Sequence, residues 1–82
     1  MRRIAIIGGG SWGTALAIAL TRSRAEHRVS LWVLEPEICE SIRSRRVNDV
    51  FLPGFEIPAQ VAATNDIAEA LAGADIVLGV MP

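Results

Sequence analysis

Hydrophobic positions along this chain follow two alternating rhythms. Short, nearly continuous apolar runs are separated by stretches in which apolar residues recur every three or four positions. Arg3 to Ile7 (RIAII) is the first run, rich in isoleucine and stopped by Gly8, and it predicts a buried strand. From Ser11 the rhythm turns helical, with Ala15, Leu16, Ala19 and Leu20 at helical spacing and no breaker before Ser23. The polar residues Arg22 to Arg28 form a return loop, with the lone His27 at its end. Val29 to Leu34 (VSLWVL) then predicts a second strand, apolar on both faces as in the interior of a parallel sheet.

Glu35-Pro36-Glu37 opens a second helix, since proline suits the first helical turn and carboxylates favour its positive end. Ile38 and Ile42 mark its inner face, Cys39 packs there as a small hydrophobe, and Arg43, Arg45 and Arg46 occupy its C-terminal end. VNDVFLPGFEIPAQ follows as the long irregular segment, broken by Pro53-Gly54 and Pro58. Val61 to Ala63 predicts a short third strand. Thr64 or Asn65 caps a third helix over Asp66 to Ala72, and Gly73 ends it in the left-handed position. Ile76 to Met81 predicts a fourth buried strand. The order β-α-β-α-β-α-β implies an α/β fold, a Rossmann-type, doubly wound parallel sheet with helices on its faces.

Within that frame Gly8, Gly10 and Gly13 spell G-x-G-x-x-G between a strand and a helix. Gly8 permits the tight turn, Gly10 lets the backbone approach a pyrophosphate, and Gly13 lets the helix pack on the strand. The amides near Ser11 and Trp12 carry the positive end of the helix dipole toward the phosphates. Glu35 stands at the end of the second strand, where an acidic residue accepts hydrogen bonds from an adenosine ribose and repels a 2′-phosphate. No arginine stands at Val33, Leu34 or Pro36, which favours NAD over NADP, although Arg43 to Arg46 lie within possible reach. A carboxylate at a helix start is also favoured by the dipole alone, and both roles can coexist.

Composition narrows the field. Half the residues are apolar in a chain of 82 residues with a formal charge of −1, which fits one small domain and gives no basic footprint for nucleic acid or membrane. The basic start and apolar first segment resemble a secretory signal, but three consecutive glycines in its centre break the helix such a signal requires. The expected compartment is therefore the cytoplasm. One cysteine and one histidine support neither a disulfide framework nor a metal site.

The segment GGGSWGTALA goes beyond the general fingerprint. It resembles the opening of the NAD(P)-dependent glycerol-3-phosphate dehydrogenases, and so do SLWVLEPE, VNDVFLPGFEIP and ATNDIAEALAGADIVLGVMP, in order and spacing. The resemblance covers essentially the whole chain. It implies that Ser11 and Trp12 contact the pyrophosphate through their backbone, that Leu34 packs on the adenine, and that Glu35 faces the ribose. It also implies that Phe51 lies near the cofactor and that Val80, Met81 and Pro82 lead toward the nicotinamide. Ordinary burial is the competing reading for Leu34 and Phe51, and Trp32 reads as sheet core. Two positions depart from the family pattern: residue 9 is glycine, and Leu34 stands where many bacterial members carry a polar or basic residue. The return loop from Arg22 to His27 is also slightly longer than usual.

The resemblance further implies hydride transfer between glycerol 3-phosphate and dihydroxyacetone phosphate, assisted by a lysine. The chain has no lysine among its eight basic residues. Residues 1–82 are accordingly expected to be the partial N-terminal dinucleotide-binding domain of a longer enzyme, inert alone, with no catalytic residue of its own. An exposed edge at the fourth strand predicts self-association, and the parent is expected to be a homo-oligomer acting on a small molecule. The alternatives are an opine- or ketopantoate-type dehydrogenase, which has no reason to carry FLPG, or a non-catalytic NAD(H)-sensing domain.

Overall fold

The computed structural model describes residues 2–22 and 27–80. The chain runs β1 (Arg2–Ile7), α1 (Ser11–Thr21), β2 (His27–Trp32), α2 (Pro36–Arg45), β3 (Val61–Thr64), α3 (Ile67–Leu71) and β4 (Ile76–Gly79). All strand pairs are parallel, in the order β3-β2-β1-β4. The chain winds outward from β1 to β3, then crosses back to place β4 on the other side of β1. This reversal is the topological switch point of a doubly wound sheet.

Register explains the layering. Ile4, Val29 and Val61 stand abreast, as do Ile6, Leu31 and Ala63. These side chains form one core with Ala17 and Ile18 of α1 and with Ile38, Cys39 and Ile42 of α2. The alternate row, Ala5, Ser30 and Ala62, is small and faces α3. Bulky aliphatics thus lie under two helices, and short side chains let α3 sit close to the sheet.

Several boundaries differ from the sequence expectation. Strand β2 begins at His27, which pairs with Arg2, so the histidine lies in the sheet and not in a turn. It also ends at Trp32: Val33 donates one more bond to Thr64 O at 2.8 Å, and the chain then turns away through Leu34 and Glu35. On α1 the buried residues are Gly13, Thr14, Ala17 and Ile18, while Ala15 and Ala19 face out. Helix α3 is capped by Asp66, not by Thr64 or Asn65, because the Asp66 carboxylate accepts from the amides of Ala68 and Glu69. Thr64 Oγ1 is engaged one step earlier, accepting from Asp66 N at 3.0 Å. Strand β4 is mostly exposed, contrary to a buried fourth strand, because it forms a sheet edge. Gly73 adopts φ +71° after α3, in the left-handed position expected of it.

The long segment from Val47 to Gln60 is less loose than its composition suggests. Ile57 reaches the core, and Asn48 and Leu52 form an isolated antiparallel bridge. The extra length expected between Arg22 and His27, and the Met81-Pro82 end of the fourth strand, lie outside the described residues. Among the described residues no helix is long and apolar enough to cross a membrane.

Candidate functional site

Four glycines shape the turn that joins β1 to α1. Gly8 donates its amide to Trp32 O at 3.2 Å and adopts φ +132°, a conformation that side chains disfavour. A Cβ there would lie 2.1 Å from Val80 O, so the end of β1 runs hard against the segment leaving β4 at the switch point. At Gly9 a Cβ would lie 2.7 Å from Val33 Cγ2, and at Gly13 it would lie 1.7 Å from Gly8 O. Backbone packing therefore requires glycine at positions 8 and 13, and a side chain at position 9 would have to displace that of Val33. Gly10 is different: a Cβ there would meet nothing within 4 Å. The fold leaves open space beside this residue, at the mouth of the turn.

Gly10 is also the N-cap of α1, and no side chain caps the helix. Its first turn contains no acidic residue, and Ser11 and Trp12 are exposed, Trp12 to 80%. The free amides at the start of this 11-residue helix offer hydrogen-bond donors and a positive dipole end to an anion. An uncapped helix start, a turn pressed tightly onto the sheet and an open Gly10 together fit the diphosphate of a dinucleotide.

The remaining candidates gather around this turn. Val33, whose side chain abuts Gly9, leads directly into Leu34 and Glu35. Leu34 is 67% exposed, so ordinary burial does not account for it. Glu35 is the N-cap residue of α2 but makes no side-chain cap hydrogen bond, which leaves its carboxylate available. Phe51 is 40% exposed, and its amide donates to Asn48 Oδ1 at 3.1 Å. Trp32 is half-buried and donates Nε1–H to Asn65 O at 3.1 Å, a structural contact.

The arginines after Glu35 are committed elsewhere. Arg43 donates to Ala63 O at 2.8 Å and lies 3.9 Å from Glu69. Arg45 pairs with Asp49 and donates to Ser41 Oγ at 3.0 Å. Arg46 donates to Ile57 O at 3.2 Å, to Val61 O at 2.6 Å and to Pro58 O. Arg45 and Arg46 bind the C-terminal end of α2 to the segment beyond it, and Arg43 binds it to β3 and α3.

Sequence reasoning overlooked Asn48 and Thr14. Asn48 is fully buried and donates Nδ2 to both Gly9 O and Thr14 Oγ1, at 2.9 Å each. The long irregular segment is thereby tied to the glycine turn. The available signal was an asparagine opening N-x-x-F-L-P-G, a polar residue in a segment otherwise read as loop. A separate cleft lies under α3, between Arg3, Arg28, Ser30, Gln60 and Ala70. It sits at the N-terminal ends of the strands, opposite the end where open α/β sheets take their ligands. Among the described residues no cluster of histidine, cysteine and carboxylate side chains is suited to a metal ion.

Comparison with known proteins decides the family. The family described as NAD-dependent glycerol-3-phosphate dehydrogenase N-terminus matches residues 3–82. The chain belongs to this family. That match takes in the glycine turn, the FLPG segment and β4 together, and it displaces the opine- and ketopantoate-type alternatives. A glycerol-3-phosphate dehydrogenase (NAD(P)+) of Koribacter versatilis is 57% identical over 82 residues, covering 100% of this chain and 24% of that protein. The protein of the same name from Rhodospirillum rubrum is 52% identical over 79 residues, covering 96% of this chain and 22% of its own length. Among solved structures, a glycerol-3-phosphate dehydrogenase from Coxiella burnetii superposes with a TM-score of 0.88 at 37% identity, over 99% of this chain and 24% of that one. The Saccharomyces cerevisiae enzyme gives 0.84 at 28% identity, over 99% and 26%. The chain thus spans about a quarter of the length of the relatives it matches.

Proposed function

We propose that this chain is the dinucleotide-binding part of an oxidoreductase that moves a hydride between a nicotinamide cofactor and glycerol 3-phosphate or dihydroxyacetone phosphate. The carrying observation is Gly10, a glycine with no packing reason at the uncapped start of α1. Ser11, Trp12 and Gly13 continue that turn over the diphosphate, with Gly8 setting its entry. Leu34 packs on the adenine, Phe51 lies near the cofactor, and Glu35 accepts hydrogen bonds from the ribose hydroxyls. When bound, the nicotinamide ring supplies the hydride acceptor or donor.

NAD is the preferred cofactor over NADP. A 2′-phosphate would meet the Glu35 carboxylate, and Arg43, Arg45 and Arg46 are held by other partners. With no lysine in the sequence, proton transfer at the reacting oxygen falls to residues outside these 82, and the chain alone binds cofactor without turnover. The complete enzyme is read as a cytoplasmic homo-oligomer. Fluorescence titration with NADH and NADPH tests the cofactor assignment. NADH is expected to bind more tightly, and tighter binding of NADPH would overturn the role given to Glu35.

A further inference from the structure

We propose that Asn48 is a positioning residue: it holds the Gly9–Gly10 peptide in the orientation that presents the Gly10 N–H to a dinucleotide diphosphate. This rests on the dinucleotide-binding reading above and names a residue that reading does not use.

A carboxamide offers two donor protons and an acceptor oxygen, and the structure engages both ends. Nδ2 donates to Gly9 O and to Thr14 Oγ1, each at 2.9 Å, while Oδ1 accepts from Phe51 N at 3.1 Å. The amide cannot be turned over, because that would set oxygen against the Gly9 carbonyl oxygen and nitrogen against the Phe51 N–H. The backbone carrying Asn48 is itself fixed by the bridge to Leu52, whose amide donates to Asn48 O at 3.0 Å. Thr14 Oγ1 adds a longer contact to Gly9 O at 3.4 Å.

The Gly9 carbonyl therefore points into the protein. In a trans peptide the N–H of the next residue points the opposite way, and no cis peptide occurs among the described residues. The Gly10 N–H consequently points away from the buried Asn48, and a Cβ built on the same residue would meet nothing within 4 Å. A peptide flanked by two glycines turns over at little steric cost, because neither residue resists positive φ. Without a latch, the Gly9 carbonyl would find water by rotating outward and would then aim its oxygen at the phosphates. Burial makes the latch effective, since a Gly9 carbonyl kept inside without Asn48 would retain only the long contact from Thr14 Oγ1. The same side chain holds the Phe51 amide, so the phosphate turn and the aromatic residue share one support.

The test is Asn48→Leu, with the same branched skeleton though larger, uncharged and unable to hydrogen-bond, with ADP and adenosine titrated against the chain by amide NMR. ADP affinity should fall by about tenfold and adenosine affinity by clearly less, because only ADP loses the Gly10 N–H, so the ADP-to-adenosine ratio drops. A residue that only stabilised the fold would lower the melting temperature yet leave the ADP-to-adenosine ratio intact in the folded protein. An unchanged ratio in a folded Leu variant overturns the proposal. Should that variant not fold, the wild-type spectrum decides: ADP should move the Gly10 amide proton downfield and adenosine should not. A Gly10 amide indifferent to bound ADP would equally overturn the assignment. If the wild type binds neither ADP nor NADH, the dinucleotide reading itself fails, and the role of Asn48 falls with it.

Discussion

At the scale of single residues, the glycine turn separates demands that a motif merges. Gly13 is glycine because α1 crosses the end of β1 with no room for a methyl group: its Cβ would sit 1.7 Å from Gly8 O. Gly13→Ala should therefore push the helix off the strand and destabilise the chain by about 2–3 kcal/mol, read as a lower urea midpoint. Gly10 has an ordinary backbone, φ −74°, and open space where its side chain would be. Gly10→Ala should leave stability within about 0.5 kcal/mol of wild type and yet weaken NADH binding, because the methyl group occupies the approach of the diphosphate. Wild-type affinity for NADH in that variant would show that no ligand comes close to Gly10. The two alanine substitutions move different observables although they lie three residues apart in one motif.

At the scale of elements, Arg46 anchors the far end of the segment after α2. Arg46 ends the helix in a left-handed conformation, φ +56°, unusual for a residue other than glycine, and its guanidinium satisfies the carbonyls of Ile57, Pro58 and Val61. Arg46→Ala should cost about 2–3 kcal/mol in urea unfolding, because charged hydrogen bonds to partly buried carbonyls are lost together. Substitution of the α3 cap, Asp66→Ala, should cost about 1 kcal/mol, and a stability equal to wild type would show that this five-residue helix is held by packing alone. The kinds and order of elements were legible in the sequence because the apolar rhythm reports which backbone period buries a face. Their limits were not: His27 joins β2 only because Arg2 stands opposite it, a fact of register. Ile57, between Glu56 and Pro58 in an aperiodic stretch, carries no rhythm to mark it as core. Asn48 was hidden for the same reason, since its partners, Gly9 and Thr14, lie 39 and 34 residues away. The motif glycines were readable because they recur at a fixed spacing within one turn, whereas the latch behind them is a tertiary contact.

At the scale of the whole molecule, the two sides of the sheet are unequal. The core is concentrated beneath α1 and α2, while β4 closes the sheet beside β1 and exposes Ile76 and Val77, the latter to 53%. Ile67 and Leu71 of α3 are exposed as well, so apolar side chains of a helix and an edge strand face water within one region of the chain. Among the described residues the outer edge of β4 pairs with no other strand, and an apolar edge of this kind is a template for a second chain. Charge does little to oppose such contact, with a net formal value of −1 over 82 residues. The isolated 82-residue chain should therefore associate with itself as its concentration rises, seen as a growing sedimentation coefficient. Val77→Lys should suppress that association without lowering stability, because the position is solvated and lysine on an edge strand disfavours pairing. Salt separates this mechanism from an electrostatic one: association driven by apolar burial should persist or strengthen at high ionic strength. A chain that sediments as a monomer up to millimolar concentration would mean that β4, though bare, is too short and too twisted to recruit a partner.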